Sequence, residues 1–217
     1  MKTSSEVSFV NSLPSTSRKD VQFRIIKVGG SLFTMPELKN RLTDWARSVA
    51  VDRCVDVWIA GGGNFVEEVR NWQALHGLDE VTAHRISIRL LSQTAEIFQS
   101  MFLDWPLLAD AQLLRSVDPI ATPNVVIDCR QWALNNPALK PSWGTTSDSI
   151  SLQLATGIKA SHLFLLKSSS PRSGQIVDAI EDGLIDPNFA VFCGEKPQLK
   201  VSITNLRESN KTSELSW

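Results

Sequence analysis

The chain is 217 residues long, 42% hydrophobic and 21% charged, enough to bury a sizeable core and close to the upper size of one domain. Its formal charge of -1 excludes a broad electrostatic attraction for nucleic acid or an anionic membrane surface, so any phosphate recognition must be local. Three widely spaced cysteines, Cys54, Cys129 and Cys193, fit neither a disulfide framework nor a CxxC zinc or redox site, and are expected to be thiols in a reducing compartment.

Residues 1–20 are rich in Ser, Thr and Lys and lack the apolar stretch of a secretory signal, which predicts a flexible tail. No run approaches the roughly 18 apolar residues that cross a bilayer, so a soluble, cytoplasmic protein is expected. The run Val21 to Lys27 (VQFRIIK) reads as a buried strand entering a turn at Gly29 and Gly30. Pro36 suits the first turn of a helix whose apolar face is Leu38, Leu42, Trp45, Ala46 and Val49. A second strand, Cys54 to Ala60, ends in Gly61, Gly62 and Gly63, with Asn64 expected to cap the following helix through Phe65, Val69 and Trp72.

A long packing helix is predicted from about Asp79 to Phe102, then a strand at Asn124 to Ile127 and a loop to Pro141. In SWGTTSDSISLQLATG the pattern turns helical, with Ser147 as cap and Gly157 as stop, before a strand SHLFLLK ending at Lys167. A helix from Gln175 to Asp182 stops at Gly183, and Lys200 to Thr204 suggests a last strand. The organisation expected is a tail over 1–20, one domain over 21–206 and a second tail over 207–217. Strands alternating with helices predict an α/β fold, an open and mostly parallel sheet sandwiched between helices, with ligands at the carboxyl ends of the strands.

Both glycine clusters and Lys167 fall at such ends. Lys27 can place an ammonium beside phosphate oxygens, Gly29 and Gly30 allow close backbone approach, and Ser31 adds a donor; a plain turn would also explain the glycines. The AGGGN turn opens a helix whose amides suit an anion, or it serves only the backbone. Neither cluster fits GxxxxGK[ST] or GxGxxG, which disfavours a P-loop enzyme and a Rossmann dehydrogenase. Asp148, among the hydroxyls of Thr145, Thr146, Ser147 and Ser149, is either a first-turn charge or the acid that orients Lys27 or a second lysine. Lys167 either reaches nucleotide phosphates or snorkels from a strand end.

KVGGSL, AGGGN, TSDSISLQLA and LFLLKS, in that order over residues 21–205, resemble the amino acid kinase family, which includes acetylglutamate, aspartate, uridylate and isopentenyl phosphate kinases. The resemblance implies ATP with Mg²⁺ as phosphoryl donor, a small-molecule acceptor and a homo-oligomer, with no nucleic acid or membrane partner. It implies that Lys27 stabilises the transferring phosphoryl group and that Asp148 organises the catalytic lysines. Gly29, Gly30, Ser31, Lys167, Ser168 and Gly174 would line the ATP phosphates, and Gly61, Gly62, Gly63, Asn64 and Ser147 the acceptor. SWGTTSDSIS, LLKS and GLIDPNF are similar to a compact subgroup containing the aminomethylfuran phosphate kinase of methanofuran biosynthesis, in one-carbon metabolism, which phosphorylates an existing phosphate monoester. The region after Asn205 departs from the family in lacking a Gly-Thr ending.

The alternatives are a kinase acting on a carboxylate, carbamate or nucleoside monophosphate, and a non-catalytic nucleotide-binding regulatory protein. His84, Arg85 and Arg89 lie on the long helix, where Arg85 and Arg89 share a face at i,i+4 spacing that suits an anionic acceptor or, more often, a solvated or subunit-contact face. The seven tryptophans, Trp132 and Trp143 among them, are expected as core and pocket-wall residues, and His162 as structural.

Overall fold

A computed structural model of the chain describes residues 21–192, 199–208 and 212–216. The expected tail at 1–20, Cys193 and Trp217 lie outside the described residues. Seven strands form one sheet in the order β3-β4-β2-β1-β5-β6-β7. They are β1 (Gln22–Val28), β2 (Cys54–Ala60), β3 (Leu107–Leu108), β4 (Asn124–Ile127), β5 (His162–Lys167), β6 (Lys200–Asn205) and β7 (Thr212–Leu215). All pairings are parallel except that of β6 with β7. The helices are α1 (Leu38–Ser48), α2 (Gly63–His76), α3 (Glu80–Met101), α4 (Arg130–Asn135), α5 (Ser147–Gly157), α6 (Ile176–Glu181) and α7 (Asn188–Phe192).

The parallel sheet is apolar on both faces because helices cover both. Ile25 pairs in register with Val57 and Leu163 and shares one core with them, together with Ile150 and Leu154 of α5. Its neighbour Ile26 pairs with Trp58 and Phe164 in the opposite core, under Leu38, Leu42 and Trp45 of α1. That second core is aromatic, with Trp45 edge-on to Phe164 at 5.1 Å and Phe102 stacked on Trp105 at 4.0 Å. α3 serves both: Ile88 and Leu91 join the first core, Ala95 and Phe98 the second. Asp79 caps this helix by accepting from Thr82 N–H at 2.9 Å.

Two charges sit inside these strands. Arg24 on β1 and its register partner Asp56 on β2 form a bidentate pair, both bonds 2.7 Å, and Arg24 also donates to the Val49 carbonyl. Such a pair contributes little beyond an apolar substitute, but removing one member strands a buried charge.

Several expectations are corrected. Asn64 does not cap α2, which begins at Gly63 with Gly62 at the cap position and no side-chain cap. Ser147 is not the cap of α5; Thr146 is, its hydroxyl accepting from Asp148 N–H at 3.3 Å. The stretch 207–217 is not wholly a tail, since Thr212–Leu215 form β7 on the open edge of β6, with Leu215 buried opposite Val201. Trp72 is not a core residue but 50% exposed on α2. Cys54 and Cys129 are buried as thiols, burial pushing Cys54 up to about 11.

Candidate phosphate site at the carboxyl ends of the strands

Because β2, β1 and β5 are parallel neighbours, their carboxyl ends bring the two glycine turns and Lys167 to one rim of the sheet. The turns pack backbone against backbone. A Cβ on Gly30 would lie 2.2 Å from the Gly63 nitrogen, and one on Gly61 would lie 2.7 Å from the Gly30 nitrogen. Gly63 also has φ +54, where L side chains are strained. At these positions glycine is therefore required by the contact between the turns themselves. Gly29 is confined in the same way by the Leu166 carbonyl, 2.8 Å from where its Cβ would be.

Lys27 on β1, Lys167 on β5 and Asp148 in the first turn of α5 converge. Lys27 Nζ lies 2.9 Å from Asp148 Oδ1 and Lys167 Nζ donates to Oδ2 at 2.6 Å. All three are buried, at 4%, 8% and 4% exposure. The Lys167 contact is the shorter of the two, so Lys167 is the more closely held ammonium. Burial alone would raise the Asp148 carboxyl, but the Lys167 and Lys27 ammoniums outweigh it and hold it at about 2. Burial brings Lys167 down to about 8, with Asp148 opposing and Lys27 adding to the fall. The two ammoniums share one carboxylate, with the buried Asp186 carboxylate acting on Lys167 from farther off, and both cations are placed where an anionic ligand would be stabilised.

The residue that holds Asp148 in place was missed by the site reading, although it lies in the GLIDPNF segment. Asp186, 6% exposed, accepts from Thr146 N–H at 2.9 Å, Thr146 Oγ1 at 2.7 Å and Ser149 N–H at 3.0 Å. It also accepts from the Ser149 hydroxyl and from Phe189 N–H. A carboxylate already satisfies this helix end, as the positive end of the macrodipole favours. The amides of α5 are therefore occupied, whereas α2 starts without a side-chain cap.

Ser31 and Ser168 meet across the rim, their hydroxyl oxygens 2.8 Å apart. Arg207, just past β6, reaches over to donate to Ser31 O at 3.0 Å and Thr34 Oγ1 at 2.8 Å, another cation no motif marked. Gly174 is held instead at the β7 edge, its carbonyl accepting from Ser216 N–H at 2.7 Å, and no contact among the described residues links it to the lysines. Asn64 is exposed and borders, with Gly62, Gly63 and Thr34, a cavity of about 210 Å³. Ser147 borders a smaller one on the other side of Gly62. A larger cavity, about 390 Å³, lies at the opposite ends of the strands beside Cys54 and Asn124, lined by Arg24, Arg47 and Asp56.

Arg85 and Arg89 lie on an exposed face of α3, as a solvated or subunit-contact face would, and His84 lies apart from them. Both arginines are exposed, while His84 is 5% exposed and within 3.0 Å of the Thr145 carbonyl through Nε2. His162 stacks on Phe164 at 3.8 Å and contacts Ser202, a packing role. Among the described residues no cluster of His, Cys, Asp or Glu is arranged to hold a metal, and no helix is long and apolar enough to cross a membrane.

No protein-family model matches the sequence, and no curated protein matches it. The fold is similar to that of solved structures. The crystal structure of UMP kinase from Ureaplasma parvum matches at TM-score 0.61 and 12% identity, over 91% of this chain and 100% of that one. Uridylate kinase from Archaeoglobus fulgidus matches at 0.56 and 16%, over 90% and 91% of the two chains. Aspartate kinase from Synechocystis matches at 0.59 and 10%, over 89% of this chain and 40% of that one. At such identities the likeness is one of fold alone: an open, mostly parallel α/β sheet flanked by helices.

Proposed function

We propose that this protein is a small-molecule kinase that moves the γ-phosphoryl group of ATP to a compact acceptor already bearing a phosphate monoester. The observation that carries the reading is the Lys27–Asp148–Lys167 bridge at the carboxyl ends of adjacent strands. Phosphoryl transfer asks a protein mainly for positioned cations and N–H donors around shifting negative charge. Lys167, anchored by Asp148, holds the donor phosphates, and the less closely held Lys27 follows the group in transit. Ser31, Ser168 and Arg207 line the donor side. The uncapped first turn of α2 at Gly62, Gly63 and Asn64 offers free amides to the acceptor's own phosphate, which the Asp186-occupied end of α5 does not.

Mg²⁺ would supply charge neutralisation across the donor phosphates; since the described residues form no cage for it, it would be held through phosphate and water, its usual mode. The resemblance to the methanofuran subgroup makes aminomethylfuranmethyl phosphate the finer expectation for the acceptor. Homo-oligomerisation is checked by light scattering. The deciding experiment is ADP release from Mg-ATP against aminomethylfuranmethyl phosphate, isopentenyl phosphate, UMP, acetylglutamate, aspartate and carbamate. Turnover with one compact phosphate monoester supports the proposal. Turnover only with a carboxylate, a carbamate or UMP replaces the acceptor class, and ATP binding with no turnover makes the protein a nucleotide-binding regulator.

A further inference from the structure

Between α2 and α3, against the turn at Gly62, runs a slot of about 60 Å³ lined by Val66, Arg70, His84, Ile88, Leu91 and Trp143. At roughly 10–15 Å³ per water-sized site it has room for about four to six waters, or one small ring, and not for a nucleoside. Its outer wall is fastened: Trp143 N–H donates to Glu80 Oε1 at 2.7 Å, its Nε1–H to Gln73 Oε1 at 2.6 Å, and the Arg70 guanidinium lies 4.0 Å from its ring centre.

Two polar atoms of the lining have no hydrogen-bond partner among the described residues: His84 Nδ1, deeply buried, and Arg70 Nε, which lies 3.7 Å from Glu67 Oε1 in a partly exposed ion pair. His84 faces the Thr145 carbonyl through Nε2, so that nitrogen carries the proton and Nδ1 is left with a lone pair. Burial lowers the His84 pKa, which keeps the ring neutral. One orphan is therefore an acceptor and the other a donor. Buried polar groups without partners are rare enough in folded chains that the His84 acceptor, sharing its slot with a guanidinium N–H that makes only a long ion-pair contact, needs an explanation.

We infer that this slot takes the non-reacting end of the acceptor and selects a short head group that donates a hydrogen bond to His84 and accepts one from Arg70. The inference rests on the kinase reading for the identity of the acceptor's other end, its phosphate. The class it names is a compact phosphate monoester whose head carries an N–H or O–H and an oxygen. Nucleoside monophosphates are excluded by size. Bare hydrocarbon heads are excluded because they leave both orphans unpaired, the kind of mismatch a hydrogen-bonding site rejects most strongly.

The test is calorimetric binding of aminomethylfuranmethyl phosphate, isopentenyl phosphate and UMP, with a non-hydrolysable ATP analogue present, to the wild type, His84→Gln and Val66→Phe. Gln keeps a donor for Thr145 and displaces the ring acceptor; Phe fills the slot from the half-buried α2 side. Analogue affinity and melting temperature show that each variant is folded. The wild type should bind the donor-bearing monoester at least about tenfold tighter than the other two, and both variants should lose that preference. Equal binding of the three probes, no binding of any, or a preference that survives both substitutions would overturn the inference. ADP release is scored separately, so discrimination without turnover would sink the kinase reading and leave the slot standing.

Discussion

Two buried ammoniums share the Asp148 carboxylate, and the consequences fall on individual side chains. If Lys27 stabilises the group in transit, Lys27→Ala lowers kcat by roughly a hundredfold or more while ATP affinity and melting temperature change little. Near-normal turnover by that variant would remove Lys27 from the mechanism. Lys167 makes a prediction in pH. Its ammonium titrates at about 8, against 10.5 for an unperturbed lysine, so kcat/KM should fall as pH rises through about 8, and Lys167→Arg should move that limb upward. Stability runs the other way. Between about 8 and 10.5 the unfolded chain binds the proton and the folded chain does not, so this group's contribution to stability rises with pH. A shared decline of activity and of the melting temperature of wild type relative to Lys167→Arg would contradict the assignment.

At the scale of elements, the site depends on two contacts that no single element contains. The turns after β1 and β2 touch through Gly30, Gly61 and Gly63, and Gly30→Ala places a methyl 2.2 Å from backbone, which only movement of a turn can relieve. Gly30→Ala is therefore expected to cost about 1–3 kcal/mol in denaturant unfolding, the range for overpacking. The first turn of α5 depends on α7's neighbour Asp186. Asp186→Ala strands three amides and two hydroxyls, and should cost roughly 3 kcal/mol, with activity falling further because Asp148 loses its support. An Asp186→Ala variant with wild-type stability would show that water replaces the carboxylate.

For the whole molecule, β7 covers the ladder of β6 by pairing antiparallel with it and becomes a short, polar edge strand in its place. Deleting residues 209–217 should expose the β6 ladder, lower the melting temperature by several degrees and raise light scattering, because an open edge templates association. Unchanged scattering and melting would show that the edge is protected otherwise. Local pattern was sufficient for most elements: VQFRIIK, CVDVWIA and SHLFLLK are short, β-rich and mainly apolar runs between glycine or polar stops, and β1, β2 and β5 follow within a residue. It was also sufficient to place Lys27, the glycine turns and Lys167 on one rim, since parallel strands share their carboxyl ends. It was not sufficient for β3, two residues long, for α7, five residues long, or for β7, whose polar TSEL is a strand only because β6 offers an edge.

The burial of His84 beside exposed Arg85 and Arg89 was equally hidden, since α3 packs on both cores and its buried stripe is wider than one face. By itself, the sequence determined the class of fold, the order of its strands and helices, and the residue types able to handle phosphate, because hydrophobic period and turn chemistry act over a few neighbouring positions. The Asp148 bridge, the Asp186 clasp and the slot under Trp143 join residues up to 121 positions apart in the chain (Lys27 to Asp148). Only the tertiary structure decided them, because charge pairing and cavity shape depend on distances in space that no local pattern encodes.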